Sequence, residues 1–273
     1  MSIELETDVD HFQREGWVRV DNVVPKKELD AVVDLVCEFF VVDRERMDPG
    51  RKFGEVVNGL VPVHQHQSLW DSRQEPAVHA AFSAIHGTER LWVSMDRASY
   101  KPRLSKRAKY VRGDANVIHV DKNLKDEVFT VQGVLYLTDT SEDQGAWECV
   151  PDVFREIRDD GRRDLRSGDD FSKYPLHKVP GKAGSLVIWD GRMPHSSGHN
   201  WSDKPRFAQY ITMNKCGNEE ERQSRIENWR QNRAPAYWRN LKANPHQLDP
   251  EPWENPAYLT VHGKRILGLT RWS

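Results

Sequence analysis

Between residues 91 and 213 the chain repeats one kind of segment, which is short, rich in β-branched and aromatic residues, and bounded by Gly, Pro, Asp or Asn. These segments are 91–100, 116–121, 129–139, 184–190 and 206–213. Such a series is typical of antiparallel strands joined by turns. It predicts a mainly β protein with flanking helices, folded as a sandwich or a barrel.

Helical patterns flank this β region. Apolar residues recur at helical spacing after Pro25, and they predict a helix packed on the core. Residues 76–85 and 217–241 also read as helical, whereas the tail ends in a strand-like stretch at 260–269. Residues 152–176 carry dense alternating charge and predict an exposed helix and loop, either a lid over a site or a surface loop.

Charge and cysteine usage narrow the class of partner. The net charge of −2 and the pI of about 6.6 give no electrostatic case for binding nucleic acid or an anionic membrane. The locally basic stretch 103–112 is either a solvated loop or a patch for an anionic substrate. Three widely spaced cysteines form no disulfide framework, and the N-terminus resembles no signal peptide. We therefore expect a cytoplasmic protein that acts on a small molecule, with its oligomeric state open.

The domain organisation follows from the absence of a convincing linker or internal repeat. We expect one domain spanning 1–273, with a core at about 12–213 and a helical or extended C-terminal extension at 214–273.

The segment His119-Val120-Asp121 is the first candidate for chemistry. Alternate side chains of a strand share a face, so the imidazole of His119 and the carboxylate of Asp121 are expected to point to the same place. A distal histidine would complete a 2-His-1-carboxylate set for a divalent metal, with open positions for oxygen and substrate. Taken alone, His-x-Asp is a weak signal, because a histidine in a strand is more often a hydrogen-bonded core residue.

Residues further along the chain extend this constellation. His195 is the preferred third ligand because it follows an apolar strand and a short turn, whereas its rival His199 falls in a Gly-Asn turn. Arg206 begins the next predicted strand, and its guanidinium can hold a carboxylate with two parallel hydrogen bonds. A surface ion pair is the commoner role of an arginine. Trp147 is either part of the substrate cleft or a core aromatic.

The combined spacing resembles the phytanoyl-CoA dioxygenase family, which includes the ectoine hydroxylases. In that pattern the distal histidine is followed two residues later by Ser197 and eleven residues later by Arg206. The stretches FQREGWVRVDNVVPKKELDAV, SYKPR and YLTDTSEDQGAWECVP also resemble family segments, so the likeness runs from about Phe12 to Met213. It implies a double-stranded β-helix, a jelly-roll or cupin-like barrel. It also implies iron(II) bound by His119, Asp121 and His195, and 2-oxoglutarate bound by Arg206, Ser197, Lys101 and Asn116.

The activity implied by the resemblance is that of an Fe(II)- and 2-oxoglutarate-dependent dioxygenase. It would use O2, release succinate and CO2, and oxidise a small organic substrate, with hydroxylation favoured and Trp147 as the substrate-binding candidate. Halogenases of this kind replace the Asp of His-x-Asp by a small residue, and Asp121 is present here. The family's Pro-Gly-Ser-His turn is absent, because Pro151 is followed by Asp-Val-Phe, and this departure leaves the shape of the entrance open.

Two alternative functions stay open from the sequence. One is a non-catalytic ligand-binding double-stranded β-helix protein, and the other is a cupin-type enzyme that uses another metal. The full set of three metal-ligand candidates together with Arg206 disfavours both. The sequence specifies neither the substrate nor the choice between hydroxylation, desaturation, cyclisation and demethylation.

Overall fold

The computed structural model describes residues 7–44, 56, 59–103, 117–122, 124–125, 127–161, 169–239 and 248–272. The helices are α1 (Val9–Glu15), α2 (Lys26–Phe40), α3 (Gln67–Arg73), α4 (Pro76–His86), α5 (Pro151–Asp159), α6 (Glu219–Arg230), α7 (Ala236–Arg239) and α8 (Val261–Leu267). The strands are β1 (Trp17–Val20), β2 (Leu91–Val93), β3 (Ala98–Lys101), β4 (Val131–Tyr136), β5 (Trp147–Cys149), β6 (His177–Val179), β7 (Leu186–Asp190), β8 (His195–Ser197), β9 (Arg206–Tyr210) and β10 (Met213–Lys215).

Two antiparallel sheets form the centre of the molecule. The larger has the order β1-β7-β4-β9-β3 and the smaller has the order β6-β5-β8, while β10 and β2 form a separate pair. A buried cluster draws residues from both of the first two sheets, including Tyr136, Trp189 and Ala208 from the larger and Trp147 and Cys149 from the smaller. The prediction of a mainly β protein with flanking helices is confirmed, and the fold is a double-stranded β-helix. Among the described residues, hydrogen bonds do not close these sheets into a barrel.

The second face of the larger sheet packs on helices. Because strand side chains alternate between faces, Leu135, Ile188 and Phe207 point away from the Trp147 cluster and join the main core. Helix α2 contributes its apolar stripe to that core, as its spacing predicted. The larger sheet is therefore covered by helices on one face, and its other face points toward the smaller sheet.

Some predicted strands differ from the structure, at 91–100, at 206–213 and in the tail. The segments predicted as single strands at 91–100 and 206–213 each divide into two strands, β2 with β3 and β9 with β10. The strand-like tail at 260–269 is wrong, because residues 261–267 form helix α8. The Thr260 side chain accepts a hydrogen bond from the Gly263 amide at its start, and Gly268 ends it with φ 99. No helix in the described parts of the chain is long and apolar enough to cross a membrane.

Candidate active site

Three side chains far apart in sequence meet at one point. The ligand atoms of His119, Asp121 and His195 all lie within 4.8 Å of one another. The Asp121 carboxylate is 3.5 Å from His119 Nε2 and 3.7 Å from His195 Nε2. It is the one such group found among the His, Cys, Asp and Glu residues that the structure describes. Two imidazoles and a carboxylate are the donor set of non-haem iron(II) sites.

The backbone links the two histidines directly. The amide of each donates to the carbonyl oxygen of the other, and both distances are 3.0 Å. His195 lies on β8, which pairs with β5, whereas residues 117–122 do not form the predicted strand and make an isolated bridge at His119. The His-x-Asp segment therefore reaches the site through one bridged residue pair.

Carbonyl oxygens orient both imidazoles. His119 Nδ1 is 2.8 Å from the Val117 oxygen, and His195 Nδ1 is 2.9 Å from the Met193 oxygen. Because a carbonyl oxygen only accepts, each Nδ1 carries a proton and each Nε2 keeps a lone pair for a metal. Burial lowers the pKa of His195 to about 4, which keeps its imidazole neutral.

A side-chain relay orients the carboxylate. Gln132 Nε2 donates to Asp121 Oδ2 at 2.8 Å, and Gln132 Oε1 accepts from Trp189 Nε1 at 2.9 Å. Gln132 and Trp189 are register partners on β4 and β7, so the relay is anchored in the larger sheet. Sequence analysis missed Gln132, because only knowledge of the strand pairing places it beside Asp121.

Arg206 is a buried cation that has no acidic partner among the residues that the structure describes. It is 1% exposed, and its Nη1 donates to Ser99 Oγ at 3.3 Å. Nε and Nη2 are buried and have no hydrogen-bond partner within the described residues. Such a guanidinium is costly to bury unless a ligand satisfies it, and a carboxylate fits its planar donors. The residues therefore fit a dicarboxylate cosubstrate next to a metal.

The other predicted cosubstrate residues have mixed outcomes. Lys101 is the register partner of Arg206, and its Nζ donates to the carbonyl oxygens of Ser197 at 3.2 Å and Gly198 at 2.9 Å. Ser197 lines the same cavity as Lys101 and Arg206. Asn116 lies outside the described residues.

His199, the rival third ligand, is absent from the group that could hold a metal, and its ring lies 5.5 Å from that of Trp201.

One cavity of about 440 Å³ contains this constellation. Trp147 is 2% exposed, lines the cavity, and packs on Trp189 with 5.0 Å between ring centroids, so it is both a core aromatic and a wall of the site. The cavity also includes lining residues that the sequence did not single out: Asp96, Arg97, Ser99, Gln132, Tyr210, Thr212, Tyr237 and Trp238. Half of these come from β3, β9 and α7, which meet only in the folded chain.

Comparisons with known proteins agree with this arrangement. A sequence model described as phytanoyl-CoA dioxygenase (PhyH) matches residues 12–208. The ectoine dioxygenase of Bordetella bronchiseptica is 25% identical over 236 residues, covering 77% of this chain and 75% of the relative. Two solved structures share the fold. SnoN, an epimerase from nogalamycin biosynthesis in complex with Fe3+, alpha ketoglutarate and nogalamycin RO, has a TM-score of 0.51 at 17% identity, covering 76% of this chain and 82% of SnoN. EvdO2 from Micromonospora carbonacea var. aurantiaca, complexed with 2-oxoglutarate, has a TM-score of 0.50 at 19% identity, covering 77% and 92%.

Proposed function

This chain belongs to the phytanoyl-CoA dioxygenase family, and from that premise we propose that it hydroxylates a small organic substrate with iron(II), 2-oxoglutarate and O2, releasing succinate and CO2. Because the family uses these three reagents, a chain that belongs to it is a 2-oxoglutarate-dependent oxygenase. One observation supports the proposed use of iron and 2-oxoglutarate at this site. Within the described part of the chain, three candidate metal ligands and a buried guanidinium with two unpartnered nitrogens line a single cavity.

We assign iron(II) to His119, Asp121 and His195. The Nε2 atoms of both imidazoles lie on the side where the three side chains meet, and an oxygen of the Asp121 carboxylate is within 4 Å of each Nε2. When bound, the iron would supply oxygen activation driven by decarboxylation of 2-oxoglutarate. The chain's own contribution is to hold these three side chains together, and an ion bound by them would keep positions free for cosubstrate and oxygen.

We assign the distal carboxylate of 2-oxoglutarate to Arg206. Ser99 fixes one amino group of its guanidinium, while Nε and Nη2 are left to bind the ligand. Ser197 lines the same pocket, and Lys101 ties β3 to the end of β8 through two carbonyl oxygens. Asn116 keeps its proposed cosubstrate role on the family resemblance alone.

We assign Trp147 to the substrate wall, since it lines the cavity and is stacked near His195, with ring centroids 6.3 Å apart. Its aromatic face and that of Trp189 would limit the access of water to the side of the candidate metal site next to His195, which would protect reactive intermediates from side reactions.

The number of domains is also a proposal. We propose that the chain works as one domain, because Ala257, Leu259, Ile266 and Leu267 of the C-terminal extension are buried in the main core. A cytoplasmic setting is supported by Cys37, Cys149 and Cys216, all of which are free thiols.

The test measures binding and product separately. Purified protein is titrated anaerobically with iron(II) and then with 2-oxoglutarate, and succinate is measured after oxygen is admitted. We expect one iron per chain, cosubstrate binding that requires the iron, and slow succinate formation even without the substrate. A protein that binds 2-oxoglutarate but never forms succinate would support the binding-only alternative. Preference for another metal without cosubstrate binding would support the cupin-type alternative.

A further inference from the structure

We propose that the substrate is an organic acid and that Arg97 binds its carboxylate. This inference rests on the proposed function and names the substrate class of the same site. Arg97 has no role in the metal or cosubstrate assignments, yet it lines the cavity that contains them.

The position of Arg97 separates it from the cosubstrate end. Arg97 immediately precedes β3, and Ser99 and Lys101 lie on it, so these three alternate residues share the side that lines the cavity. Lys101 is the register partner of Arg206, whereas Arg97 lies four residues away, roughly 13 Å along the extended chain. The same wall thus carries one guanidinium for the cosubstrate and a second one further along.

The contacts of Arg97 leave its best donors available. The residue is 2% exposed, and its Nε donates to Asp96 Oδ1 at 3.3 Å. Its Cζ lies 3.5 Å from the centroid of the Trp238 ring, so the indole covers one face of the guanidinium. Stacking uses the face and not the edge. The two terminal amino groups have no hydrogen-bond acceptor in the described part of the chain, and together they form the fork that matches a carboxylate.

Charge balance in the cavity also favours an anion. The described lining has three cationic side chains and two anionic ones: Arg97, Lys101 and Arg206 against Asp96 and Asp121. Iron(II) and the 2-oxoglutarate dianion cancel each other, so the loaded cavity keeps one surplus positive charge. The aromatic side chains of the lining lower the local dielectric constant, which strengthens that field. A monoanionic substrate neutralises it.

The rest of the lining describes the body of the acid. Trp147, Trp189 and Trp238 present large apolar surfaces, and Tyr210 and Tyr237 add rings with hydroxyl groups. Aromatic walls favour a hydrocarbon chain or a ring over a small, highly polar molecule. The preferred substrate is therefore a carboxylic acid with an apolar body, anchored at Arg97.

The test compares acids with their uncharged amides. Three matched pairs serve as probes: benzoate and benzamide, phenylacetate and phenylacetamide, octanoate and octanamide. Dissociation constants are measured by calorimetry and saturation-transfer NMR on the anaerobic complex with iron(II) and 2-oxoglutarate, and in parallel on the metal-free protein. We expect at least one acid to bind about tenfold more tightly than its amide, because charge-assisted bidentate hydrogen bonds discriminate strongly. Failure of every acid to bind, or equal binding within all pairs, overturns the inference.

Substitutions connect the preference to Arg97. Arg97→Gln should remove the acid preference, while Arg97→Lys should keep part of it as a point charge without the planar fork. Asp96→Asn retains an oxygen for Arg97 Nε but removes a negative charge, so acid binding should become about threefold tighter. The exposed Arg14→Gln is the matched control, which should keep the full preference. A preference that survives Arg97→Gln in folded protein contradicts the assignment, and if that variant does not fold, weaker acid binding in Asp96→Asn contradicts it.

The two proposals can fail separately. Wild-type protein that binds neither iron nor 2-oxoglutarate disproves the proposed function, even where the metal-free protein still prefers acids. Intact iron and cosubstrate binding without an acid preference disproves only the role of Arg97. If Arg97→Gln weakens 2-oxoglutarate binding as much as a substitution of Arg206 does, Arg97 belongs to the cosubstrate site and the inference is overturned.

Discussion

The two halves of the candidate site are built in different ways. His195 and Arg206 lie on β8 and β9, and their side chains are 7% and 1% exposed. His119 and Asp121 lie on the segment 117–122, with side chains 38% and 48% exposed, and one bridged residue pair holds that segment to β8. The buried half takes its geometry from the sheets. The exposed half depends on a bridge, on Gln132 and, by our proposal, on the metal itself.

The comparison is tested most strongly by removing one ligand from each half. His195→Ala and Asp121→Ala should both abolish iron binding and lower succinate formation by about a thousandfold or more, since each removes one of three ligands. Their effects on metal-free stability should differ. His195→Ala should cost about 2 kcal/mol because it leaves a cavity beside Trp189, while Asp121→Ala should change the free energy of unfolding by less than about 0.5 kcal/mol.

Iron stoichiometry and urea unfolding measure these two effects. His199→Ala is the control, because His199 is a nearby histidine outside the ligand group, and it should keep its iron. Equal losses of metal-free stability in the two ligand variants would show that the halves do not differ as described.

The cosubstrate end of the buried half gives the next largest effect. Arg206→Met should raise the Kd for 2-oxoglutarate by about a hundredfold, the loss expected when a charge-assisted pair is removed from a buried site. The same change should leave the cosubstrate-free protein as stable or about 1–3 kcal/mol more stable, because the buried guanidinium has unsatisfied donors. Calorimetry and thermal unfolding with and without 2-oxoglutarate measure both, with Arg14→Met as an exposed control. A marked loss of stability without cosubstrate would assign Arg206 to the core and not to a ligand.

The relay through Gln132 tests how the exposed half is held. Gln132→Leu should weaken iron binding by about tenfold to a hundredfold, since partners that orient a ligating carboxylate have effects of that size. Trp189→Phe removes the indole N–H that orients Gln132, together with part of the ring that packs on Trp147, but it keeps Gln132 itself, so a smaller loss of about threefold is expected. Competition with a metal chelator measures both. If Gln132→Leu binds iron as tightly as wild type, the bridge alone positions Asp121.

The smallest effect concerns motion of the exposed half. Removing iron with a chelator should speed hydrogen exchange of the amides in 117–122 by about tenfold, because a metal that binds only the folded arrangement stabilises it. The amides of β9 should be unaffected, since their ladder does not depend on the ion. Mass spectrometry of exchanged peptides checks this. Uniform protection of both segments without metal would show that the exposed half is already rigid.

Much of this site was predictable from sequence because its signals are local. The spacing of His119 and Asp121 and the place of His195 after an apolar strand indicated the candidate ligands, and the family resemblance supported them. The structure brings these three side chains together. Arg206 was recognisable for the same reason, as a cation opening a strand. Asn116 stays a prediction, as its position lies outside the described residues.

Other features needed long-range contacts. Gln132 is ordinary in sequence and acquires meaning only beside Trp189 and Asp121. Arg97 and Trp238 are far apart along the chain and become partners only when α7 folds over β3. The strand predicted at 116–121 and the strand predicted in the tail were both wrong. A short apolar run fits a strand or a helix equally well, and the run itself does not show which backbone groups its N–H and C=O groups will bond to in the folded chain.

Residue types along the chain indicate which side chains can hold a metal and a dicarboxylate, and the spacing of apolar residues indicates which faces of strands and helices are buried. Both are properties of neighbouring residues, set by the repeat of the backbone. The pairing of the strands is known only from the folded chain, and with it the cavity wall that carries two guanidiniums and the glutamine that faces the carboxylate. Strand pairing depends on contacts between distant residues, and periodicity along the chain carries no record of them.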